Sequence, residues 1–136
     1  MKLKSVAVLA VCGAFVASIA ATVDQIKYTS FTAVGGANPD VDGVGKMKLD
    51  SNNRVKVQFT ISGLAPNTAY RVTLSGGELE ADYGDNPLVT NANGNAHWDD
   101  ESSATILTGD ETINIWLDSN GDNVLEATEK VAVSAR

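Results

Sequence analysis

Asp118-Ser119-Asn120-Gly121-Asp122-Asn123-Val124-Leu125-Glu126-Ala127-Thr128-Glu129 places oxygen-bearing side chains at alternate positions of one short segment and closes it with a glutamate. That spacing suits a hard divalent cation, since calcium takes roughly six to eight oxygens at about 2.3 to 2.6 Å from a tight loop. Asp118, Asn120 and Asp122 would supply the first, third and fifth ligands and the Val124 carbonyl the seventh. Glu126 would act at the ninth position, directly or through water, and Glu129 would be the closing bidentate carboxylate. The sixth position holds Asn123 where glycine is usual. Asparagine is one of the few other residues that visit the left-handed conformation, so the loop is weakened there and not abolished. The competing expectation is a solvated acidic hairpin whose Asn-Gly-Asp residues only form turns.

The twelve-residue segment resembles the calcium loop of EF-hand and dockerin-like proteins. Its flanks do not, because 113–117 and 130–135 alternate like strands and not like helices. The expectation is a calcium loop set between two strands, with a short helical turn over 125–129. Asn38-Pro39-Asp40-Val41-Asp42-Gly43 begins the same pattern and then fails, with Leu49 at the twelfth position. Asn38, Asp40 and Asp42 read as a loop, the alternative being a partial site completed from elsewhere. The acidic stretch of Glu78, Glu80, Asp82, Asp85 and Asn86 either supplies that completion or faces solvent.

His97-Trp98-Asp99-Asp100-Glu101 is the one place where histidine, an aromatic ring and acids meet. Asp99 or Glu101 as half of an acid/base pair would need a partner across a cleft. With no second histidine and no nucleophile motif, an enzyme is not expected. Trp98 and Trp116 offer a carbohydrate-stacking platform as an alternative function, against the more ordinary role of covering a sheet.

Those residues must be positioned by strands. Val55, Val57, Phe59 and Ile61 alternate with polar residues over 54–62, and the pattern recurs at Tyr70, Val72 and Leu74, at Ile113, Ile115 and Leu117, and at Val131 and Val133. Weaker candidates cover 25–33, 45–50, 96–98 and 104–107. Asp50-Ser51-Asn52-Asn53 and Asn93-Gly94 are turn signals. The expected fold is an all-β antiparallel sandwich of about seven to nine strands. Gly63-Leu64-Ala65-Pro66-Asn67-Thr68-Ala69-Tyr70-Arg71-Val72 resembles the strand-crossing corner of fibronectin type III-like and Ig-like domains. The resemblance implies that Leu64 packs in the core and that the Tyr70 hydroxyl bonds back to the backbone. It covers about twenty residues, and the corner lies too early in the chain for the fibronectin order, so it implies the architecture and not the topology.

The 136 residues carry 17 Asp+Glu, 10 Lys+Arg, one histidine and one cysteine, a net charge of -7. Met1-Lys2-Leu3-Lys4 followed by an apolar run and Ser18-Ile19-Ala20 reads as a signal peptide over 1–20, with an uncleaved anchor as the alternative. Cleavage would remove Lys2, Lys4 and Cys12, leaving 8 basic against 17 acidic residues, a net charge of -9 and no thiol. One domain over 21–136 remains. That composition excludes disulfides and cysteine-based zinc sites, and its acidity argues against nucleic acid as a partner. The function expected is a secreted, calcium-binding structural or adhesive domain at the cell surface, off the membrane once the signal is cleaved. Calcium is its one cofactor, and a polysaccharide or self-assembly into an extracellular fibre or tube would supply its partner.

Overall fold

The alternation of apolar and polar residues carries the chain into ten strands in a computed structural model that describes residues 22–35, 40–77 and 79–136. The expected signal helix, together with Asn38, Pro39 and Glu78, lies outside the described residues. The strands are β1 (Gln25–Tyr28), β2 (Ser30–Ala33), β3 (Asp42–Leu49), β4 (Val55–Ser62), β5 (Ala69–Gly76), β6 (Leu79–Asp82), β7 (Leu88–Val89), β8 (Ala96–Ser102), β9 (Thr112–Trp116) and β10 (Lys130–Ala135). One four-stranded sheet has the order β1-β3-β4-β8; the other has the order β2-β10-β9-β5-β6, with β7 paired to β5. Every named pairing is antiparallel. The chain is therefore an antiparallel all-β sandwich, compatible with Ig-like and fibronectin type III-like architecture.

β4 shows why the two layers meet. Val55, Val57, Phe59 and Ile61 are buried while Lys56, Gln58 and Thr60 face water. Opposite them, the second sheet contributes Phe31, Val72, Leu74, Ile113, Ile115, Val131 and Ala132. Two apolar faces that cannot be hydrated cheaply close on each other. Phe31, Phe59, Trp98 and Tyr83 form a chain of rings across this core, with successive centroids 5.2, 5.4 and 5.1 Å apart. Glycine on β3 makes room for it: a Cβ at Gly45 would run into Phe59, and one at Gly43 into the Phe31 ring and the Thr60 carbonyl.

The corner has the bond its sequence implied. Tyr70 is buried, and its hydroxyl accepts the Ala65 N–H at 3.0 Å. Leu64 is buried beside it. The Asn93-Gly94 turn is present, with the Asn91 N–H bonded to the Asn95 carbonyl at 2.9 Å. It leads from β7 in one sheet to β8 in the other, so it does not join hydrogen-bonded neighbours.

Several local expectations are corrected by the sheet topology. The single strand expected over 25–33 divides at Thr29, where the chain leaves the first sheet for the second and the Thr29 N–H bonds the Ala135 carbonyl at 3.0 Å. Residues 104–107 form no strand, only a bridge from Leu107 to Val23. A register shift between Lys130 and Ala132 turns Val131, Ala132 and Ser134 inward, where alternation alone had paired Val131 with Val133. Short β6 and β7 carry too few residues to show a period.

Removing the Tyr70 hydroxyl while keeping the ring isolates the corner bond. Tyr70→Phe is expected to lower unfolding free energy by about 1 to 2 kcal/mol with an unchanged urea m-value, measured by equilibrium urea denaturation.

Candidate metal centre

β9 and β10 are adjacent antiparallel strands, yet the segment joining them runs over 117–129. Ordinary hairpin loops take roughly two to five residues, and longer ones are commonly functional or mobile. This loop is held by its own side chains. Asp118 Oδ1 accepts the Gly121 N–H at 2.8 Å and its Oδ2 accepts the Asn123 N–H at 2.9 Å. Asn120 Oδ1 accepts the Asp122 N–H at 3.0 Å, and Asp122 Oδ1 accepts the Val124 N–H at 2.8 Å. Gly121 and Asn123 have φ of 73° and 67°, so asparagine does adopt the left-handed conformation at the sixth position.

The C-terminal half folds back on the N-terminal half. Asn120 Nδ2 donates to Glu126 Oε2 at 3.2 Å. A 3-10 turn at Ala127–Glu129 brings Glu129 inward, where Oε1 accepts the Ser119 N–H at 2.9 Å and the Ser119 hydroxyl at 3.1 Å. Glu129 Oε2 accepts the Glu126 N–H at 3.2 Å. The Glu126 and Ser119 amides, with the Ser119 hydroxyl, hold the Glu129 carboxyl below its ordinary range against the opposing effects of burial and of Asp118. Val124 stands 58% exposed at the loop's outer edge.

The six sequence-derived ligand positions, Asp118, Asn120, Asp122, Val124, Glu126 and Glu129, thus share one closed loop. Their acid groups do not converge on a point: among the described residues, no group of three or more His, Cys, Asp or Glu side chains is gathered closely enough to hold a metal ion. Like charges repel at short range, and each of Asp118, Asp122, Glu126 and Glu129 turns to a separate N–H donor. The set is made of hard oxygens, the right type for calcium, and coordination would require those side chains to exchange N–H partners for the ion.

Arg71 is a participant that local sequence did not reveal. From β5 its Nη1 donates to the Asn123 carbonyl and to Asn123 Oδ1, both at 3.2 Å. Its Nε and Nη2 grip Asp82 at 2.8 and 2.6 Å. The loop is pinned to the sheet at the residue with the strained φ. Nothing in the 118–129 motif points to an arginine so distant in sequence.

The other candidates disperse. Asp42 opens β3 and its carboxylate accepts the neighbouring Gly43 N–H at 2.8 Å, while Asp82 is engaged by Arg71. Asn86 serves the core: its carbonyl accepts Trp98 Nε1 at 2.8 Å, and its amide donates to Asp100 at 2.7 Å. Trp98 is 3% exposed within the ring chain and cannot stack on a sugar, a correction to the platform expectation. Alternation had given no sign of whether this ring faced inward. Trp116 is half-buried, bonded to Thr73 and covered by the Lys130 ammonium 4.7 Å from the ring centroid. His97 lies 3.6 Å from Asp99 on the outer side of β8, and Glu101 pairs with Arg54 at 3.2 Å.

Compared with known proteins, the chain matches no family model and no curated sequence.

The lowered Glu129 value sets a pH dependence. Its stabilising effect is complete above the unfolded value of 4.5 and is lost as the pH falls through the lower folded value. Protection of the Ser119 and Glu126 amides, taken relative to the intrinsic exchange rate at each pH, is therefore expected to fall on acidification below about pH 4.5. Glu129→Gln should remove that pH dependence.

Proposed function

We propose that the chain is a secreted calcium-binding domain with a structural or adhesive role at the cell surface, in which calcium stabilises the fold or its assembly. The observation that carries this reading is the closure of the 118–129 loop: Glu129 returns to Ser119 and Glu126 meets Asn120, so the two halves of the twelve-residue motif are held together. Asp118, Asn120, Asp122, Glu126 and Glu129 would hold the ion by side chain and Val124 by its carbonyl. The ion would supply a central positive charge in place of mutual repulsion among the four carboxylates.

The loop's place in the sheet says what such binding would do. It links β9 to β10, and β10 pairs on its other side with β2. A clamp on this connection bears on three strands of the larger sheet. A chain without disulfides gains most from such a staple, because binding free energy adds to folding free energy. The N-terminal signal pattern is the support for secretion.

Calorimetric titration with calcium, paired with thermal melts in calcium and in chelator, tests the reading. A saturable heat is expected, with stabilisation of about 2.7 kcal/mol when free calcium is 100 times Kd. Asp118→Ala combined with Glu129→Ala should abolish both responses, each variant being compared with itself in chelator because Asp118 also caps the turn. Absence of heat together with identical melts would refute calcium binding.

A further inference from the structure

We infer that the β1–β3 side of the four-stranded sheet's outer face, away from Asp99 and Glu101 on β8, binds an acidic polysaccharide, through Lys27 and Lys46 at a shallow groove and Lys48 beside it. This rests on charge placement and is independent of the calcium loop. Five of the eight Lys and Arg residues among the described ones, Lys27, Lys46, Lys48, Arg54 and Lys56, belong to this sheet or its β3–β4 turn, in a chain with 17 acids. Arg54 is paired with Glu101 at 3.2 Å and Lys56 lies 3.8 Å from Asp50. No carboxylate among the described residues is in salt-bridge contact with Lys27, Lys46 or Lys48.

Register makes the arrangement costly to the fold. Lys27 stands directly opposite Lys46, and Lys48 directly opposite Lys56, on the same outward face. Like charges in directly opposed positions destabilise a sheet. Protection of a sheet edge would account for Lys27 on β1. It does not account for Lys46 and Lys48, which lie on the inner strand β3.

The groove beside them has a volume of about 460 Å³, within the range of small-ligand sites. Its side-chain donors are Lys27, Lys46, Gln58, Thr60 and His97, around Val44, and no acidic residue lines it. Val44 is 57% exposed there. Three other hollows of the described surface include acids: Asp42 in one, Glu80 with Asp82 in another, and Asp99 to Glu101 in a third. A mainly apolar, acid-free groove rimmed by lysines fits the C–H faces of sugar rings whose carboxylate or sulfate groups reach the ammonium groups. A protein partner fits less well, because lysine is depleted from protein interfaces. A nucleic acid strand would find no exposed aromatic ring on this face except His97 for its bases.

Binding of the full chain to polygalacturonate and to dextran sulfate, with neutral dextran as control, tests the proposal by calorimetry at low and high salt. Salt-sensitive binding to an acidic polymer and none to dextran is expected, and preference between the two polymers identifies the anion. Lys27→Gln with Lys46→Gln and Lys48→Gln should weaken it about tenfold or more, at a melting temperature equal to or above that of the parent. Single Lys46→Gln should weaken it to a smaller degree, and Lys130→Gln should change nothing. No binding to either acidic polymer, or full binding by the triple variant, overturns the proposal. A salt-sensitive dimer lost in the triple variant would overturn it in favour of a second copy, whose Asp99 and Glu101 edge would meet the lysines. Tighter binding to single-stranded DNA than to either polysaccharide would overturn it as well.

Discussion

Phe59 lies at the centre of the sandwich, between Phe31 of the larger sheet and Trp98 on the edge strand of the smaller one, and Tyr83 continues the contact on the far side. This ring chain is the constraint on which the remaining structure depends. Large apolar rings can be removed from water only if both sheets present complementary faces at one separation. β3 meets that demand with Gly43 and Gly45, and the loop containing Asn86 meets it by accepting the indole N–H. Trp98 is thereby committed to the core, which is why an aromatic residue beside a histidine and three acids has no surface role.

Polar closure follows at the edges of the same core. Tyr28 reaches from the smaller sheet to the Glu111 carbonyl at 2.6 Å, and its burial keeps the hydroxyl protonated well above the usual tyrosine range. Glu111 is fully buried, and its carboxylate accepts the Thr108 and Gly109 N–H groups. At the other end Tyr70 closes the corner. Most buried polar groups need such partners, since each one left unpaired costs free energy. They fix how the two sheets are offset and so where the β9–β10 connection emerges.

Charge is sorted by the same geometry. Acids gather in connections and on the outer side of β8, while unpaired lysines share the outer faces of β1 and β3. A net charge of -7 therefore describes an unevenly charged molecule, with an acidic loop on one sheet and, on the outer face of the other, lysines of β1 and β3 set apart from acids of β8. Steering by such a surface depends on local potential within a Debye length, more than on the total.

Local pattern in the chain was enough for the all-β class, for the strands with long alternation such as β4 and β5, for the Leu64–Tyr70 corner, and for the loop whose residues are contiguous at 118–129. These are local properties, carried by a period of two or by neighbours within a few residues. Tertiary structure alone decided that 25–33 divides between two sheets, that β10 carries a bulge, that Trp98 is buried, and that Arg71 pins Asn123. It also decided that Lys27 faces Lys46. Each of these depends on which strand lies beside which, and sheet register brings together residues that no short-range pattern connects.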